Sequence, residues 1–506
     1  MTAGRSEAVR RVGYSALIEM LNIDVIPNWH ESLVTAGSTR RVQETGGIVR
    51  ETYPESYWPG DTVAAHLEFA LKYDGTNLSI LAEVFRNVYA TDLLTYIESK
   101  PTGKYARRLW FLYEFLVGNR LPLNDLEQGN YVDLLDPNEY YTSDDYRKIR
   151  RQRINNNLLG DRRFCPIVRR TERLGGFEAA NLTERSRQIV ESYPTDLLRR
   201  ALSYLYIKET KSSFEIERIT PSSDRVARFV ALLQSAERDD FIEKDRLIDL
   251  QNRIVDPRFA DADYRQTQNY VGETIAWRQE RVHYVCPQPE YIHDLMGGLI
   301  AAHRRMADSG VQAVVHAAVV AYGFVFLHPF EDGNGRIHRF LIHNILARHE
   351  FTPKGMIFPV SAVMLRKPSA YDDSLEAFSR PLMSIIDYTL DEDGQMTVNN
   401  DTAALYRYID MTPQAEALFS FVETTIDTEL VEELTFLAHY DRTKATIQNI
   451  VDMPDRKIDR FIRLCLQNNG RLSRRKRQSQ FDFLTDDEIT QMEEAVRGGY
   501  AVDRTD

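Results

Sequence analysis

The sequence has little cysteine and no hydrophobic run long enough for a membrane span. Its three cysteines, Cys165, Cys286 and Cys465, lie far apart and form no CxxC pair, so we expect reduced thiols and a cytoplasmic protein. The N-terminal residues contain no apolar stretch of the signal-peptide kind. The most apolar stretch, residues 311–327, is interrupted by a histidine and is too short to cross a bilayer. We therefore expect a soluble protein with no membrane partner, in which this stretch is a core helix.

Basic residues are not in excess either. The 63 Lys and Arg residues against 75 Asp and Glu residues give a net charge of -12, which argues against a general electrostatic hold on nucleic acid but leaves a local basic patch open. Internal repeats and low-complexity segments are also absent from the sequence. With 43% hydrophobic and 27% charged residues, the 506-residue chain is typical of a folded protein of about two to four domains.

Patterning along the chain predicts a mainly α protein in four parts. Residues 1–205 form an N-terminal accessory region that is irregular over about its first 60 residues and then largely helical. Residues 206–390 are helical apart from a hairpin-like piece at 274–285. Residues 391–404 read as an acidic linker. Residues 405–506 contain two short amphipathic helices, a turn and a basic strand-like tail, an order that resembles a winged helix.

One segment of twelve residues combines types that rarely occur together: His328-Pro329-Phe330-Glu331-Asp332-Gly333-Asn334-Gly335-Arg336-Ile337-His338-Arg339. Its Gly-Asn-Gly turn precedes an amphipathic helix, and such a turn binds anions. Arg336 and Arg339 lie on the first helical turn, where they repel each other unless an anion neutralises them. Asp332 offers a hard oxygen ligand for Mg²⁺, and His328 is a candidate general base. The segment predicts a magnesium–nucleotide site with a proton acceptor for a hydroxyl.

The segment resembles the signature of Fic-domain proteins, His-x-Phe-x-Asp/Glu-Gly-Asn-Gly-Arg-x-x-Arg, and matches every fixed position. The resemblance implies an all-helical Fic core within about residues 212–390 and transfer of AMP from ATP to a Ser, Thr or Tyr hydroxyl of a protein. It makes His328 the base and Asp332 the Mg²⁺ ligand, with Phe330 packing the loop onto the core. Relatives that act as kinases have lysine at position 335, so Gly335 favours nucleotidyl transfer. The nucleotide contacts that the resemblance implies are made by Gly333, Asn334, Gly335, Arg336, Arg339 and, downstream, Tyr371.

The hairpin at 274–285 resembles the flap of the same family, which holds the target protein by strand addition. Backbone pairing of this kind aligns a hydroxyl without reading much sequence. Self-modification and a homodimer stay open as further partner arrangements.

An upstream segment, Lys211 to Arg218, resembles the family's inhibitory helix motif, Ser/Thr-x-x-x-Glu-Gly/Asn. Ser213 and Glu217 lie four residues apart, on one helical face. A carboxylate on Arg339 would form a charge-assisted pair at the γ-phosphate position and leave ATP misplaced for in-line attack. Arg218 departs from the motif, which has Gly or Asn there. The position before the core indicates the class with an N-terminal inhibitory helix.

Two alternatives remain open beside an adenylyltransferase inhibited by Glu217. In some relatives the same glutamate positions a water that removes AMP, so Glu217 could be catalytic in a de-AMPylating hydrolase. The C-terminal part could instead make the chain a DNA-binding regulator, with a helix near residues 457–466 in the groove and a basic tail on phosphates. The cations of that tail are Arg471, Arg474, Arg475, Lys476 and Arg477.

Overall fold

The computed structural model describes residues 9–276 and 279–500, and the described chain is mainly α, as the sequence predicts. The N-terminal part has short strands around five helices. Its elements are β1 (Arg10–Val12), α1 (Gly13–Leu21), β2 (His30–Thr35), β3 (Arg41–Thr45), β4 (Ile48–Pro54), α2 (Val63–Phe69), α3 (Leu78–Asn87), α4 (Ala90–Ser99), α5 (Lys104–Val117), β5 (Val132–Asp133), β6 (Arg147–Ile149) and β7 (Ile154–Asn156).

The central part is helical apart from one hairpin. Its elements are α6 (Glu172–Ala179), α7 (Leu182–Glu191), α8 (Thr195–Ile216), α9 (Ser223–Ser235), α10 (Lys244–Ile254), β8 (Tyr270–Ala276), β9 (Gln279–Val285), α11 (Pro289–Ala307), α12 (Ala313–Leu327), α13 (Asn334–Arg348), α14 (Val360–Arg366) and α15 (Pro368–Met383). The antiparallel pair β8–β9 is the predicted hairpin; its tip residues Trp277 and Arg278, which belong to the predicted flap, lie outside the described residues.

The last part is helical except for a short hairpin at its start. Its elements are β10 (Tyr388–Leu390), β11 (Met396–Val398), α16 (Ala403–Arg407), α17 (Thr412–Thr424), α18 (Val431–Ile450), α19 (Asp455–Leu466), α20 (Arg474–Gln480) and α21 (Asp486–Tyr500). Residues 391–404, predicted as a linker, contain the turn and second strand of the β10–β11 hairpin and the start of α16. None of the helices in the described residues is both long and apolar enough to cross a membrane.

Residues 9–60 are not irregular, so the sequence prediction for them is wrong. They contain a four-stranded sheet in the order β1-β2-β4-β3, with β2 and β4 parallel. The buried positions alternate along both central strands, but half of them are polar: Ser32 and Val34 in β2, Glu51 and Tyr53 in β4. Glu51 is accommodated because Tyr53 donates a hydrogen bond to it at 2.6 Å. Because polar residues occupy half of the buried positions, the alternation of apolar and polar residues that indicates a strand is missing from the sequence.

Helix α12 is the centre of the central part of the chain. It is apolar on every side and almost entirely buried, which is typical of a core helix rather than of a surface one. Helices α11, α13 and α17 pack around it. Because α12 ends at Leu327 and α13 begins at Asn334, the twelve-residue segment lies at the end of the best-packed helix pair in the chain.

The C-terminal tail also differs from its prediction. Residues expected to form a strand form α20, and the described residues from 399 to 500 contain no strand that could make a wing. Ser473 accepts a hydrogen bond from the Lys476 N–H at 3.4 Å as the N-cap of α20. Because Arg, Lys and Gln are good helix formers, this capped basic run is helical.

Candidate functional site

The loop between α12 and α13 is held by its own side chains. His328 ends α12 in the left-handed conformation (φ 49°), and Gly333 precedes α13 at φ 91°. The Asn334 side chain accepts a hydrogen bond from the Phe330 N–H at 3.1 Å and donates one to the Phe330 carbonyl at 2.7 Å. The Phe330 ring is fully buried. Asn334 thus shapes the loop through its side chain, beside the phosphate contact that the resemblance implies.

His328 is positioned with one ring nitrogen free for chemistry. Its Nδ1 lies 3.3 Å from the Val325 carbonyl oxygen, which can only accept, so Nδ1 carries the proton and Nε2 is the basic nitrogen. His328 borders a cavity of about 750 Å³. Burial and the nearby Arg265 guanidinium lower the pKa of His328 to about 4. The imidazole is therefore neutral at physiological pH and able to accept a proton.

Arg265 is a site residue that the sequence analysis missed. Its guanidinium donates to the carbonyl oxygens of His328, Thr267 and Pro287 at 2.8, 2.6 and 2.6 Å, and its N–H donates to the Pro329 carbonyl at 2.8 Å. The residue is 3% exposed. It joins the loop that carries His328 to the base of the β8–β9 hairpin. No local pattern around residue 265 signals this role, because every partner on the loop lies more than 60 positions away in sequence.

Glu217 contacts both arginines of the segment. Its Oε1 accepts a hydrogen bond from Arg339 Nη2 at 2.7 Å, and its Oε2 lies 2.7 Å from Arg336 Nε. Both arginines are almost completely buried, whereas the Glu217 side chain is 24% exposed. Because a buried guanidinium without a partner is unfavourable, the Glu217 carboxylate stabilises both arginines in this arrangement.

Ser213 and Tyr371 complete the surroundings of Arg339. The Arg339 Nε donates to Ser213 Oγ at 2.9 Å, and its Nη2 donates to the Ser213 carbonyl at 2.6 Å. The Tyr371 hydroxyl lies 3.5 Å from Arg339 Nη1. Ser213 is fully buried. Ser213 of α8 and its C-cap residue Glu217 are therefore both in direct contact with Arg339.

Gly335 permits this contact. A Cβ atom built on Gly335 would lie 2.6 Å from Glu217 Oε1 and 3.3 Å from Arg339 Nη1. Any side chain at this position would force the carboxylate away from the start of α13. The absence of a side chain thus leaves room for either a carboxylate or a phosphate beside the helix N-terminus.

Asp332 has one oxygen available for a metal ion. Its Oδ1 accepts from the Gly333 N–H at 2.6 Å and from Arg336 Nη2 at 2.7 Å, and its side chain is 45% exposed. Gln251, which the sequence analysis missed, donates to the Asp332 carbonyl at 3.3 Å and so fixes the loop on α10. No group of three or more metal-ligating side chains occurs in the described residues. The site suits Mg²⁺ only if phosphate and water supply most of the ligands.

The cavity collects most of the predicted residues. Eight of them line it: Glu217, His328, Asp332, Gly333, Asn334, Gly335, Arg339 and Tyr371. Ser213 lies behind the cavity wall, in contact with Arg339. Arg336 also lies behind it, in contact with Glu217 and Asp332. The hairpin borders the cavity through Tyr270, Val271, Gly272 and His283. The volume of the cavity lies within the range of small-molecule sites, about 300–1,000 Å³.

Residues 241–346 match the model of the Fic/DOC family. This chain contains a Fic domain. The match includes the whole segment from His328 to Arg339, the hairpin, Arg265 and Gln251, whereas Ser213, Glu217 and Tyr371 lie outside it.

Curated relatives are similar to part of this chain. The chain is 29% identical over 140 residues to the protein adenylyltransferase fic-1 of Caenorhabditis elegans, over 27% of this chain and 25% of that one. It is 31% identical over 119 residues to the protein adenylyltransferase Fic of Culex quinquefasciatus, over 23% and 22% of the two chains. The match thus spans about a quarter of the length of these relatives.

Among solved structures, a Fic family protein from Desulfovibrio desulfuricans aligns with 66% of this chain and 88% of its own, at 18% identity and a TM-score of 0.36. A Fic domain containing signaling protein from Bacteroides thetaiotaomicron aligns with 50% of this chain and 95% of its own, at the same identity and TM-score.

Proposed function

We propose that this chain is a protein adenylyltransferase that moves AMP from Mg²⁺-ATP to a protein hydroxyl. One observation carries the proposal: a neutral imidazole with a free Nε2 borders the same cavity as a Gly-Asn-Gly turn and a buried arginine. The cavity thus combines a proton acceptor with an anion-binding helix start. The names of the matched relatives, protein adenylyltransferases, agree with it.

In the proposed reaction His328 Nε2 accepts the proton of the target hydroxyl as its oxygen attacks the α-phosphorus of ATP. The new bond joins that oxygen to the α-phosphorus, the bond from the α-phosphorus to its bridging oxygen breaks, and pyrophosphate leaves. The N–H groups of Asn334 and Gly335 and the guanidinium of Arg339 face the phosphate charge, and Gly333 allows the turn that precedes them. Asp332 would hold Mg²⁺, which supplies charge neutralisation when bound.

The target segment lies beside the β8–β9 hairpin in this proposal. Residues 271–275 of β8 are exposed along their length, including the side chains of Val271 and Ile275. An extended segment added there would place a hydroxyl at the cavity edge through main-chain hydrogen bonds. Such pairing favours an extended loop of the target over a helix.

Glu217 inhibits the reaction in this proposal. Its carboxylate is bonded to Arg339 and lies against Arg336, so both guanidinium groups are already neutralised when ATP arrives. The γ-phosphate then lacks its partner, and the α-phosphorus is not aligned for in-line attack. The wild-type chain should accordingly transfer AMP slowly.

A labelling experiment separates this function from its alternatives. The Glu217→Gly chain is incubated with ATP labelled at either the α- or the γ-phosphate, alone and with a lysate as target. Adenylyl transfer retains the α-label on protein and releases the γ-label; a kinase gives the reverse. His328→Ala should abolish the α-label, a loss of about 10²- to 10⁴-fold, while the exposed His293→Ala serves as control.

Retention of full labelling by His328→Ala would exclude His328 as the base. If wild type instead removes AMP from a protein that Glu217→Gly has labelled, the chain is a de-AMPylating hydrolase that uses Glu217.

A further inference from the structure

A second cavity, which we call the α19 cleft, lies outside the residues that match the Fic family. It has a volume of about 880 Å³ and is bordered by the N-terminal half of α8, by α18 and by α19. Within the described residues it shares no lining residue with the active-site cavity. The α19 cleft is therefore a cavity separate from the one proposed for adenylyl transfer.

One wall of the cleft is mainly basic; its one acid, Asp459, is bonded to Tyr440 and lies near Lys444. Arg456, Arg460 and Arg463 lie at i, i+4 and i+7 on one exposed face of α19, and all three line the cleft. None of them has a carboxylate within ion-pair distance in the part of the chain that the structure describes, although the chain as a whole carries a net charge of -12. Three unneutralised guanidinium groups on one face suit a partner with several negative charges.

The other walls are apolar and aromatic. Tyr204 of α8 is 54% exposed and Phe436 of α18 is 47% exposed, and both border the cleft together with the buried side chains of Ile462 and Phe481. Large exposed aromatics that gather in one concave place mark an interaction site more than isolated ones do. The occupant needs apolar groups as well as negative charge.

We propose that the α19 cleft binds an acidic amphipathic segment of a partner protein. Its carboxylates pair with Arg456, Arg460 and Arg463, and its apolar side chains lie against Tyr204 and Phe436. This is the helix-in-groove mode of peptide recognition, with charge complementarity to select the partner.

The geometry favours a peptide over duplex DNA. A helix that reads DNA must project into a major groove about 12 Å wide. Here α8 and α18 stand opposite the basic face of α19 across the cleft. The exposed rings of Tyr204 and Phe436 would also face a phosphate backbone without gaining anything from it. DNA binding by α19 is therefore the competing outcome of the test.

The test measures fluorescence anisotropy with the full-length chain. The probe is a labelled synthetic helical peptide that has glutamates on one face and Leu and Phe on the other. A version with glutamine in place of glutamate reports the charge requirement, and labelled single-stranded and duplex oligonucleotides report the alternative. The cleft variant is Arg456→Glu/Arg460→Glu/Arg463→Glu. The matched control, Arg471→Glu/Arg474→Glu/Arg475→Glu, reverses three arginines that are also exposed and outside ion pairs in the described chain.

The proposal predicts that the glutamate peptide binds and the glutamine peptide binds far more weakly. The cleft variant should lose about thirtyfold in affinity, and the control less than about threefold. Tyr204→Ala/Phe436→Ala, which changes two exposed side chains, should weaken binding at unchanged charge. No binding of the glutamate peptide, equal losses in both charge reversals, or tighter binding of an oligonucleotide with a steep salt dependence would overturn the proposal.

Discussion

Three buried arginines in the Fic domain differ in what neutralises them. Arg336 contacts the carboxylates of Asp332 and Glu217, and Arg339 contacts that of Glu217. Arg265 has only carbonyl oxygens as hydrogen-bond partners in the described residues. Its charge is not cancelled locally, which is why it lowers the pKa of His328. A residue outside the signature motif thus holds the loop of the proposed base and adds to the effect of burial, which is the larger cause of the lowered His328 pKa.

Arg265→Met should therefore change the pH dependence of transfer as well as its rate. Without the guanidinium, the His328 pKa rises from about 4, and the loop is less well held. We expect AMP transfer by the Glu217→Gly chain to fall about 10- to 100-fold, with the acidic limb of the pH–rate profile displaced to higher pH and ATP affinity unchanged.

Arg108→Met is the control for Arg265→Met, because Arg108 is also buried and also donates to a backbone carbonyl, that of Asp133 at 2.9 and 2.8 Å. It lies outside the site and should leave the profile in place. Arg265→Lys keeps the charge and should keep the low His328 pKa. A profile that is the same in Arg265→Met and the parent would show that Arg265 acts on packing alone.

Arg218 explains why the inhibitory motif has Gly or Asn at its position. It follows α8 in the left-handed conformation, at φ 58°, and its N–H donates to the Glu215 carbonyl at 2.8 Å as part of the helix end. A residue with a Cβ costs about 1 kcal/mol in this conformation relative to Gly. The helix end that presents Glu217 to the arginines is therefore less favourable with Arg218 than it would be with Gly.

Arg218→Gly should strengthen inhibition. Relieving the left-handed strain favours the inhibited form, and basal AMP transfer should fall by about two- to fivefold. The measurement compares transfer by wild type and Arg218→Gly, with Arg218→Ala as the control that removes the side chain but keeps the Cβ. Equal rates for all three chains would show that the helix end does not limit release of Glu217.

Helices α8 and α13 are joined by a series of polar contacts rather than by apolar packing alone. Glu209, Ser213 and Glu217 recur at every fourth position of α8 or its C-cap. Glu209 lies 2.8 Å from His343 of α13, and the other two contact Arg339. Because each contact is buried or nearly so, a shift of α8 by one turn would leave several charged groups without partners. Helix α8 is held in register over about two turns.

Ser213→Ala should release inhibition only in part. Arg339 loses its hydroxyl partner on Nε but keeps the Ser213 carbonyl and Glu217. We expect transfer to rise by about three- to tenfold, below the effect of Glu217→Gly. The comparison uses initial rates at saturating ATP. An effect as large as that of Glu217→Gly would show that the Ser213 hydroxyl, and not the Glu217 carboxylate, inhibits the reaction through Arg339.

Elements were predictable where their signal is local. The His328–Arg339 segment, the α12–α13 pair and the β8–β9 hairpin follow from residues that are neighbours in sequence. The roles of Arg265 and Gln251 could not be predicted, because these residues contact the loop across 63 and 81 positions of the sequence. The N-terminal sheet was missed because Ser32 and Glu51 occupy strand positions that are apolar in an ordinary sheet.

Over the whole molecule, several histidines are buried in a neutral state. Burial lowers the pKa values of His316 and His349, and it lowers that of His338 to about 3. The folded-state pKa lies below the unfolded value near 6.5, so the unfolded chain binds more protons at acid pH. The contribution of these neutral histidines to the free energy of unfolding is complete above about pH 7 and decreases as the pH falls through 6.5. His30, whose pKa is raised by Asp74 and Glu51 against the effect of burial, acts in the opposite sense.

Thermal unfolding should show this acid sensitivity. The contribution of His338 alone amounts to about 2 kcal/mol between pH 7.5 and pH 5. His338→Leu should flatten the decline of the unfolding temperature over that range, whereas His293→Leu, at an exposed position, should follow wild type. A decline as steep in His338→Leu as in wild type would show that His338 is already charged in the folded chain.

The most direct test of the central claim, that Glu217 holds an adenylyl-transfer site inactive through Arg339, is a rate of AMP incorporation from α-labelled ATP. Wild type, Glu217→Gly, and Glu217→Gly/Arg339→Ala are compared at equal protein concentration. A charge-assisted contact contributes about 1.5–3 kcal/mol, so Glu217→Gly should exceed wild type by about ten- to a hundredfold, and the double variant should lose that gain. A Glu217→Gly chain no faster than wild type, or a double variant as fast as Glu217→Gly, would contradict the account.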